Sequence, residues 1–412
     1  MPKILKNHTL QTIASANFFA TLGVSIFNII LLTYAKSFPN PHWFVSVVSI
    51  VTVVPAVFGG VTGRVADQTS KKTNWLVGTK LIQAGLYLVL AQIINQRTVF
   101  IFYIIVVINL FSDIIGNYAG NLLTIVIQDR IMGEDRQQVM GINTSVGTIM
   151  EPIGQTLGVI IISQTHNYAL AGVINAVTFI LSAVCLTMGY HAVLSTKKVA
   201  PQPVTEGVWQ VIRKVMIKTT GMDAVSYLGI IMILNGVSVG LDAILNLLFI
   251  DLAPSLNIDY SFAILLINIV YVMGSVLGSI TKDTWIDHLD LFQLLLVTLG
   301  APVIAYSTLL LYPKLIPILV SMFAVAFMSG KLDPKMFATM MPQIDPHLTG
   351  TVFGTISTIV TVASPVGSVG IVLLYNLVDS TFACVFALIL ITVSFVWALW
   401  AHQKIAKLQI KD

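Results

Sequence analysis

The feature that most constrains this chain is a succession of apolar runs, each about as long as a bilayer is thick. Crossing the hydrocarbon core takes roughly 20 mostly apolar helical residues. Runs of that kind fall near residues 10–35, 43–63, 75–95, 98–127, 138–163 and 168–190, and then near 224–250, 260–280, 291–312, 315–341, 350–376 and 381–401. Polar residues do not alternate along them, which excludes a β-barrel. Charged residues make up only 10% of the 412, against about 25% in soluble domains. Lipid is therefore the solvent for most of the surface, and the backbone must satisfy itself in helices. The expectation is an all-α membrane protein with twelve transmembrane helices in two six-helix bundles.

Lysine and arginine orient those helices. The termini and alternate loops, taken as one side, hold sixteen: Lys3, Lys6, Arg64, Lys71, Lys72, Arg130, Arg136, Lys197, Lys198, Arg213, Lys214, Lys218, Lys282, Lys404, Lys407 and Lys411. The other side holds three, Lys36, Arg97 and Lys314, while Lys80, Lys331 and Lys335 lie within helices. Both termini are expected in the cytoplasm and the chain in the cell membrane. Lys3 and Lys6 precede a run too long for a signal sequence, so that run reads as the first span. The polar stretch 191–222 separates an N-terminal half, 1–190, from a C-terminal half, 223–412. Its Val208–Lys218 portion reads either as an amphipathic surface helix or as part of a flexible linker.

Other classes of function find little support. The net charge of +4 is not gathered into a basic stripe with interleaved aromatics, so nucleic acid is not an expected partner. Cys185 and Cys384 sit in apolar runs with no metal-site or disulfide spacing. The seven histidines are scattered, and HExxH, GxSxG and phosphate-loop patterns are missing. No catalytic residue, metal or cofactor is expected, and uphill transport would draw on an ion gradient.

Glycines and prolines repeat across the 191–222 boundary. Gly59 and Gly63 end the second run as Gly274 and Gly278 end the eighth. Gly141, Pro152 and Gly154 in the fifth run match Gly354, Pro365 and Gly367 in the eleventh. The offsets, 215 and 213 residues, are nearly equal, so one duplication accounts for both. Small residues four apart let helices approach closely, and Pro152 and Pro365 are expected helix bends. Such features suit two parallel repeats that rock against each other.

The loop after the second run reads Gly63-Arg64-Val65-Ala66-Asp67-Gln68-Thr69-Ser70-Lys71-Lys72. It resembles the major facilitator signature Gly-x-x-x-Asp-Arg-x-Gly-Arg-Lys. Gln68 and Ser70 depart from that pattern, and Lys71 stands for arginine. The region Asp129 to Arg136 is similar to the same family, as is Gly350-Thr351-Val352-Phe353-Gly354, which is nearest to its macrolide-efflux branch although Thr351 replaces the usual arginine. The resemblance implies a gate built from Gly59, Gly63, Asp67, Lys71, Lys72 and Arg136, with Asp67 meeting the amides near Thr349 and Gly350. The antiporter motif is matched only in part at Gly147 to Pro152, where Glu151 replaces a glycine.

Ionisable groups inside spans mark candidate sites, because a charge at the bilayer centre costs about 3 kcal/mol or more. Asp113, Glu151 and Asp242 are the candidates for proton coupling or cation binding. Asn17, Asn117, Asn121, Lys331 and Asp333 are the candidate cavity lining, with Asp113, Asn117 and Asn121 forming one stripe at helical spacing. Interhelical glue is the alternative for the asparagines, hydrogen bonding to freed backbone for Glu151, and snorkelling for Lys331. The expected function is proton-coupled efflux of small drug-like or macrolide-like amphiphiles by a monomer whose partners are substrate, protons and lipid. A lysophospholipid or siderophore transporter of the same fold is the runner-up, and a non-transporting membrane sensor or assembly partner the reading from another class.

Overall fold

A computed structural model of the protein describes residues 6–39, 41–195, 207–255, 260–282 and 284–409. The helices in chain order are α1 (His8–Lys36), α2 (Pro41–Val57), α3 (Gly59–Gln68), α4 (Lys72–Ile93), α5 (Val99–Arg130), α6 (Gly133–Thr165), α7 (Tyr168–Met188), α8 (Val208–Thr220), α9 (Ala224–Ser255), α10 (Tyr260–Ile280), α11 (Leu291–Leu311), α12 (Leu315–Met340), α13 (Thr349–Leu377) and α14 (Ser380–Gln409). No strand occurs among the described residues. Every expected span is helical, and ten helices among the described residues are long and apolar enough to cross a membrane on their own. The second span is interrupted: after Pro55 the helix tightens through a Phe58 N–H to Pro55 carbonyl bond of 3.0 Å and restarts as α3.

Lys197, Lys198, Pro201 and Pro203 of the connecting stretch lie outside the described residues, as does the Pro365 side chain. The Val208–Lys218 portion is helical, within α8. It buries Ile212, Val215, Met216 and Thr220 and exposes Trp209, Arg213, Lys214 and Lys218.

The chain forms two compact units. The first comprises Met1–Pro203 with Asp345–Thr358, so it takes in the opening turns of α13; the second comprises Val204–Ile344 with Ile359–Asp412. In the first, α1 packs on α6 and α7, α4 on α7, and α3 on α5. In the second, α9 and α11 pack on α14, and α10 on α12. The α1–α7, α4–α7 and α3–α5 pairs thus recur as α9–α14, α11–α14 and α10–α12, which is the duplication seen as packing.

Lipid offers apolar side chains no reason to leave it, so helix contacts rest on close fit. Gly154 lets α6 lie on α1: a Cβ there would sit 2.6 Å from the Ser25 side chain. Gly172 does the same for α7 on α4, 2.9 Å from Ala91 Cβ, and Gly274 for α10 on α12, 2.7 Å from the Phe323 carbonyl. The first unit adds an aromatic cluster in which Tyr34 meets Phe38 at 5.2 Å and Tyr168 at 5.1 Å, and Phe44 meets Phe102 at 4.8 Å. Each such pair contributes about 0.5–1.5 kcal/mol beyond its burial.

In the second unit the α10–α11 connection is strapped to α12. Lys331, expected to line a cavity, is 1% exposed and pairs with Asp287 at 2.8 Å while donating to the Thr281 carbonyl at 2.5 Å. Lys335 donates to the carbonyls of Asp287, at 2.7 Å, and Leu289. The long stems carry both ammonium groups from α12 to the end of α10 and the connection that follows it, where unpaired carbonyls and a carboxylate await them. Burial pushes the Asp287 carboxyl up, but hydrogen bonds from Lys331 and Thr284 outweigh it and hold the group below its usual range.

Removing one partner leaves the Lys331 charge stranded. Asp287→Asn is expected to destabilise the protein by on the order of 3 kcal/mol. The double variant with Lys331→Met should recover most of that loss, as read by thermal unfolding in detergent. Because the native carboxyl is depressed, the strap contributes fully above the ordinary value of about 3.9 and is lost as pH falls below it.

Candidate functional site

Three arrangements bring the polar residues of the spans together. The first is a clasp inside the first unit. The amide groups at the start of α13 have no partner within their own helix and favour an anion. Asp67, at the end of α3 and 3% exposed, receives them: Gly350 N–H donates to Oδ1 at 2.7 Å, and Thr351 donates to Oδ2 through its N–H at 2.7 Å and its hydroxyl at 2.6 Å. Burial pushes the Asp67 carboxyl up to about 6, against the pull of the Thr351 and Gly350 hydrogen bonds and of nearby Lys72. Glycine makes the approach possible, since a Cβ on Gly350 would lie 2.7 Å from the Gly63 carbonyl and one on Gly59 2.6 Å from the Gly354 carbonyl.

Neighbouring cations cap helices around this clasp. Lys72 donates to the carbonyls of Ala66, Asp67 and Thr69 at 3.0, 2.9 and 2.7 Å and so closes α3. Arg136 donates to the carbonyls of Ile131 and Gln128 at 3.1 and 2.8 Å and closes α5. Gln128 in turn accepts from the Thr349 hydroxyl. Lys71 is exposed at the start of α4. Thr351, a departure from the family pattern in sequence, is one of the two residues that hold the carboxylate. Thr349 marks the region where the family resemblance places the partner of Asp67, whereas Gln128 carries no sequence signal beyond being polar.

Asn117 and Asn121, expected in a cavity, brace the α2–α3 break. Asn117 donates to the Pro55 carbonyl at 2.8 Å, and Asn121 to Thr62 Oγ1 at 3.1 Å. The tightened turn leaves carbonyls short of donors, and asparagines one and two turns beyond Asp113 on α5 supply them, Asn121 also reaching the Gly59 carbonyl at 3.4 Å.

The second arrangement is a polar relay, also in the first unit. Asp113 accepts from Asn109 at 2.9 Å, and Asn109 accepts from the Tyr87 hydroxyl at 2.8 Å. One residue away, Gln83 donates to the Ser112 carbonyl at 3.0 Å and accepts from Lys80 at 3.3 Å. Lys80, Gln83 and Tyr87 fall at i, i+3 and i+7 on α4, a polar face that helical spacing makes legible. Asn17 donates to the Asn143 carbonyl at 3.1 Å and lines a small pocket with Lys80. Glu151 is exposed on α6 beside Pro152 and has no hydrogen bond among the described residues.

The third is a cavity of about 460 Å³ in the second unit, between α9, α10 and α12. Asp242 and Asp333 line it, with Asn235, Asn268 and Tyr271 among apolar walls. Asp242 receives a bond of 3.4 Å from Asn246. Among the described residues neither these carboxylates nor Asp113 pairs with a lysine or arginine. The volume lies within the roughly 300–1,000 Å³ usual for small-molecule sites. No cluster of three or more potential metal ligands occurs among the described residues.

Comparison with known proteins gives the arrangement a family. The model of the Major Facilitator Superfamily matches residues 13–368. The human organic anion transporter MFSD10 (TETRAN) superposes with a TM-score of 0.72 at 14% identity, over 97% of this chain and 100% of that one. A bacterial homologue of the iron transporter ferroportin, in an outward-facing state with soaked iron, gives 0.68 at 11% identity over 95% and 98%. Identities this low speak for the fold alone. Among curated proteins none matches the chain in sequence. With its helical spans, duplicated packing and near full-length match, the chain belongs to the major facilitator superfamily of membrane transporters.

Proposed function

We propose that this transporter exports small amphiphilic compounds in exchange for protons, by alternating access between the halves 1–190 and 223–412, with both termini in the cytoplasm of the cell. The observation that carries this reading is the set of intramembrane carboxylates, Asp113, Asp242 and Asp333, that pair with no cation among the described residues. A charged carboxylate is costly in lipid unless it meets water, a partner or a proton. One that alternates between wet and dry surroundings changes its proton affinity with the transport cycle. Asp113 has the relay for that task, and Glu151, exposed on α6 beside Pro152, is the second candidate for it. The second-unit cavity, with apolar walls and two carboxylates, suits an amphiphile of the drug or macrolide type.

The Asp67 clasp is the gate in this scheme. It joins a loop of the N-terminal half to the opening turns of α13, so one conformer must make it and another break it. Asp67→Ala strands two amides and a hydroxyl. It is expected to weaken the clasp by about 3 kcal/mol, roughly a hundredfold in its population. Hydrogen exchange at the Gly350 and Thr351 amides would rise accordingly.

Flux in proteoliposomes tests the function. Wild-type protein is expected to move a fluorescent amphiphile against its gradient when a pH gradient is imposed, and Asp113→Asn and Glu151→Gln to lose the gradient-driven component. Unchanged proton-driven flux in both variants would overturn the coupling assignment. Flux of a lysophospholipid or an iron-chelating compound in place of amphiphilic drugs would move the substrate class, and no flux of any compound would favour a sensor.

A further inference from the structure

Lys80, at one end of the polar relay, is an ammonium inside the membrane whose charge the proposed coupling leaves unused. It stands eight residues into α4, about 12 Å beyond the helix start at 1.5 Å per residue. A lysine at such a depth ordinarily snorkels back to the nearer surface. Here that route follows the helix towards Lys72, the direction its Cβ already favours. Lys80 goes the other way: its Nζ reaches Gln83, one turn deeper, at 3.3 Å and lies 5.5 Å from the centre of the Phe179 ring. Phe179 is itself nine residues, about 13.5 Å, from the end of α7.

An ammonium has three hydrogen-bond donors. Gln83 takes one, a ring face helps to solvate the charge, and no carboxylate pairs with it among the described residues. The side chain borders a pocket of about 110 Å³ between α1, α4, α5 and α7, whose walls are otherwise apolar apart from Asn17. Asn17 is already engaged, donating to Asn143 and accepting from Thr21 at 3.2 Å. A water occupies about 30 Å³, so the space seats a carboxylate head and the first carbons of its chain, the rest of the chain leaving by the open side of the pocket. Gly116 and Gly120 on α5 keep it open.

We propose that this pocket is an anion-docking site, in which Lys80 receives the carboxylate of a small amphiphile whose apolar part lies along Ile13, Leu76 and Leu123. This rests on the carrier reading and adds a substrate class to it, carboxylate amphiphiles, seated in the first unit. Lys80 supplies the charge and two free donors, Gln83 aims the ammonium inward, and the apolar walls select against small hydrated anions.

The test is a fluorescence titration of the purified full-length protein with 11-(dansylamino)undecanoate and, in parallel, with its methyl ester. Wild type is expected to bind the acid saturably and better than the ester. Lys80→Met should weaken the acid by at least about tenfold, or 1.4 kcal/mol, leave the ester unchanged, and melt no lower than wild type, because it removes a charge without a counter-ion. Lys80→Arg should retain the preference for acid over ester. Gly120→Leu, which fills the pocket from a position with open space at its Cβ and keeps the ammonium, should weaken both probes. Acid binding undiminished in Lys80→Met would overturn the proposal, as would equal loss of acid and ester together with a lower melting temperature, the mark of a structural lysine. Because binding is read in detergent without a gradient, these outcomes are separate from flux. A protein that binds the acid through Lys80 yet moves nothing retains the site and loses the carrier reading.

Discussion

Every backbone group that a helix leaves unpaired inside or at the edge of lipid must find a partner in the protein, and most of the polar side chains here answer that demand. A lost hydrogen bond costs several kcal/mol where no water can replace it. The α2–α3 break is met by Asn117, Asn121 and the Thr358 hydroxyl, which donates to the Ala56 carbonyl at 2.8 Å. The amides that open α13 are met by Asp67, and the carbonyls that end α3 and α5 by Lys72 and Arg136. The same demand, met by Lys331 and Lys335, holds the α10–α11 connection to α12. The function proposed for this protein uses what is left over: carboxylates and one ammonium that no helix end requires.

That division explains what could be read in advance. Bilayer thickness imposes a length on each apolar run, so the spans and the family motif were legible in the chain. Depth along a helix is equally legible, and it says that a polar residue is costly. It does not say whether the residue serves backbone or cavity, because that depends on which helix lies opposite. Asn117 and Asn121 read as a stripe with Asp113, yet a break one helix away claims them and leaves Asp113 to Asn109. Lys331 and Lys335 read as a pair on one face, and they are, but the face meets a loop. The break itself was hidden, since Pro55 sits in an apolar run that looks continuous.

The duplication shows how one framework came to serve two ends. Gly59 and Gly63 admit the opening turns of α13, whereas Gly274 and Gly278 admit α12. The loop that follows each pair diverged accordingly. In the first unit it presents Asp67 to free amides, a contact of modest strength that a conformational change can break and remake. In the second, Lys282 stands at the equivalent position, and Asp287 forms a buried ion pair whose loss would strand a charge. An interaction made of helix-end amides leaves nothing worse than solvated donors when it opens near water. An ion pair whose lysine is 1% exposed does not open so cheaply. The chemistry therefore fits the first loop to move and the second to stay.

The same reasoning bears on the relay in the first unit. Lys80 and Asp113 carry opposite charges on facing helices, and direct pairing would relieve both of their cost in lipid. Instead Gln83 and Ser112 stand on one side and Asn109 and Tyr87 on the other, all neutral and hydrogen-bonded. Neutral amides and hydroxyls accept a charge's field without cancelling it. In the proposed scheme this leaves Asp113 open to a proton and Lys80 open to an anion. A proton arriving at Asp113 would leave a carboxyl whose carbonyl oxygen still accepts from Asn109, and an anion arriving at Lys80 would take the donors that Gln83 leaves free. The bonds that cross between the helices, from Gln83 to Ser112 and from Tyr87 to Asn109, hold both sites to the same α4–α5 contact without the two groups meeting.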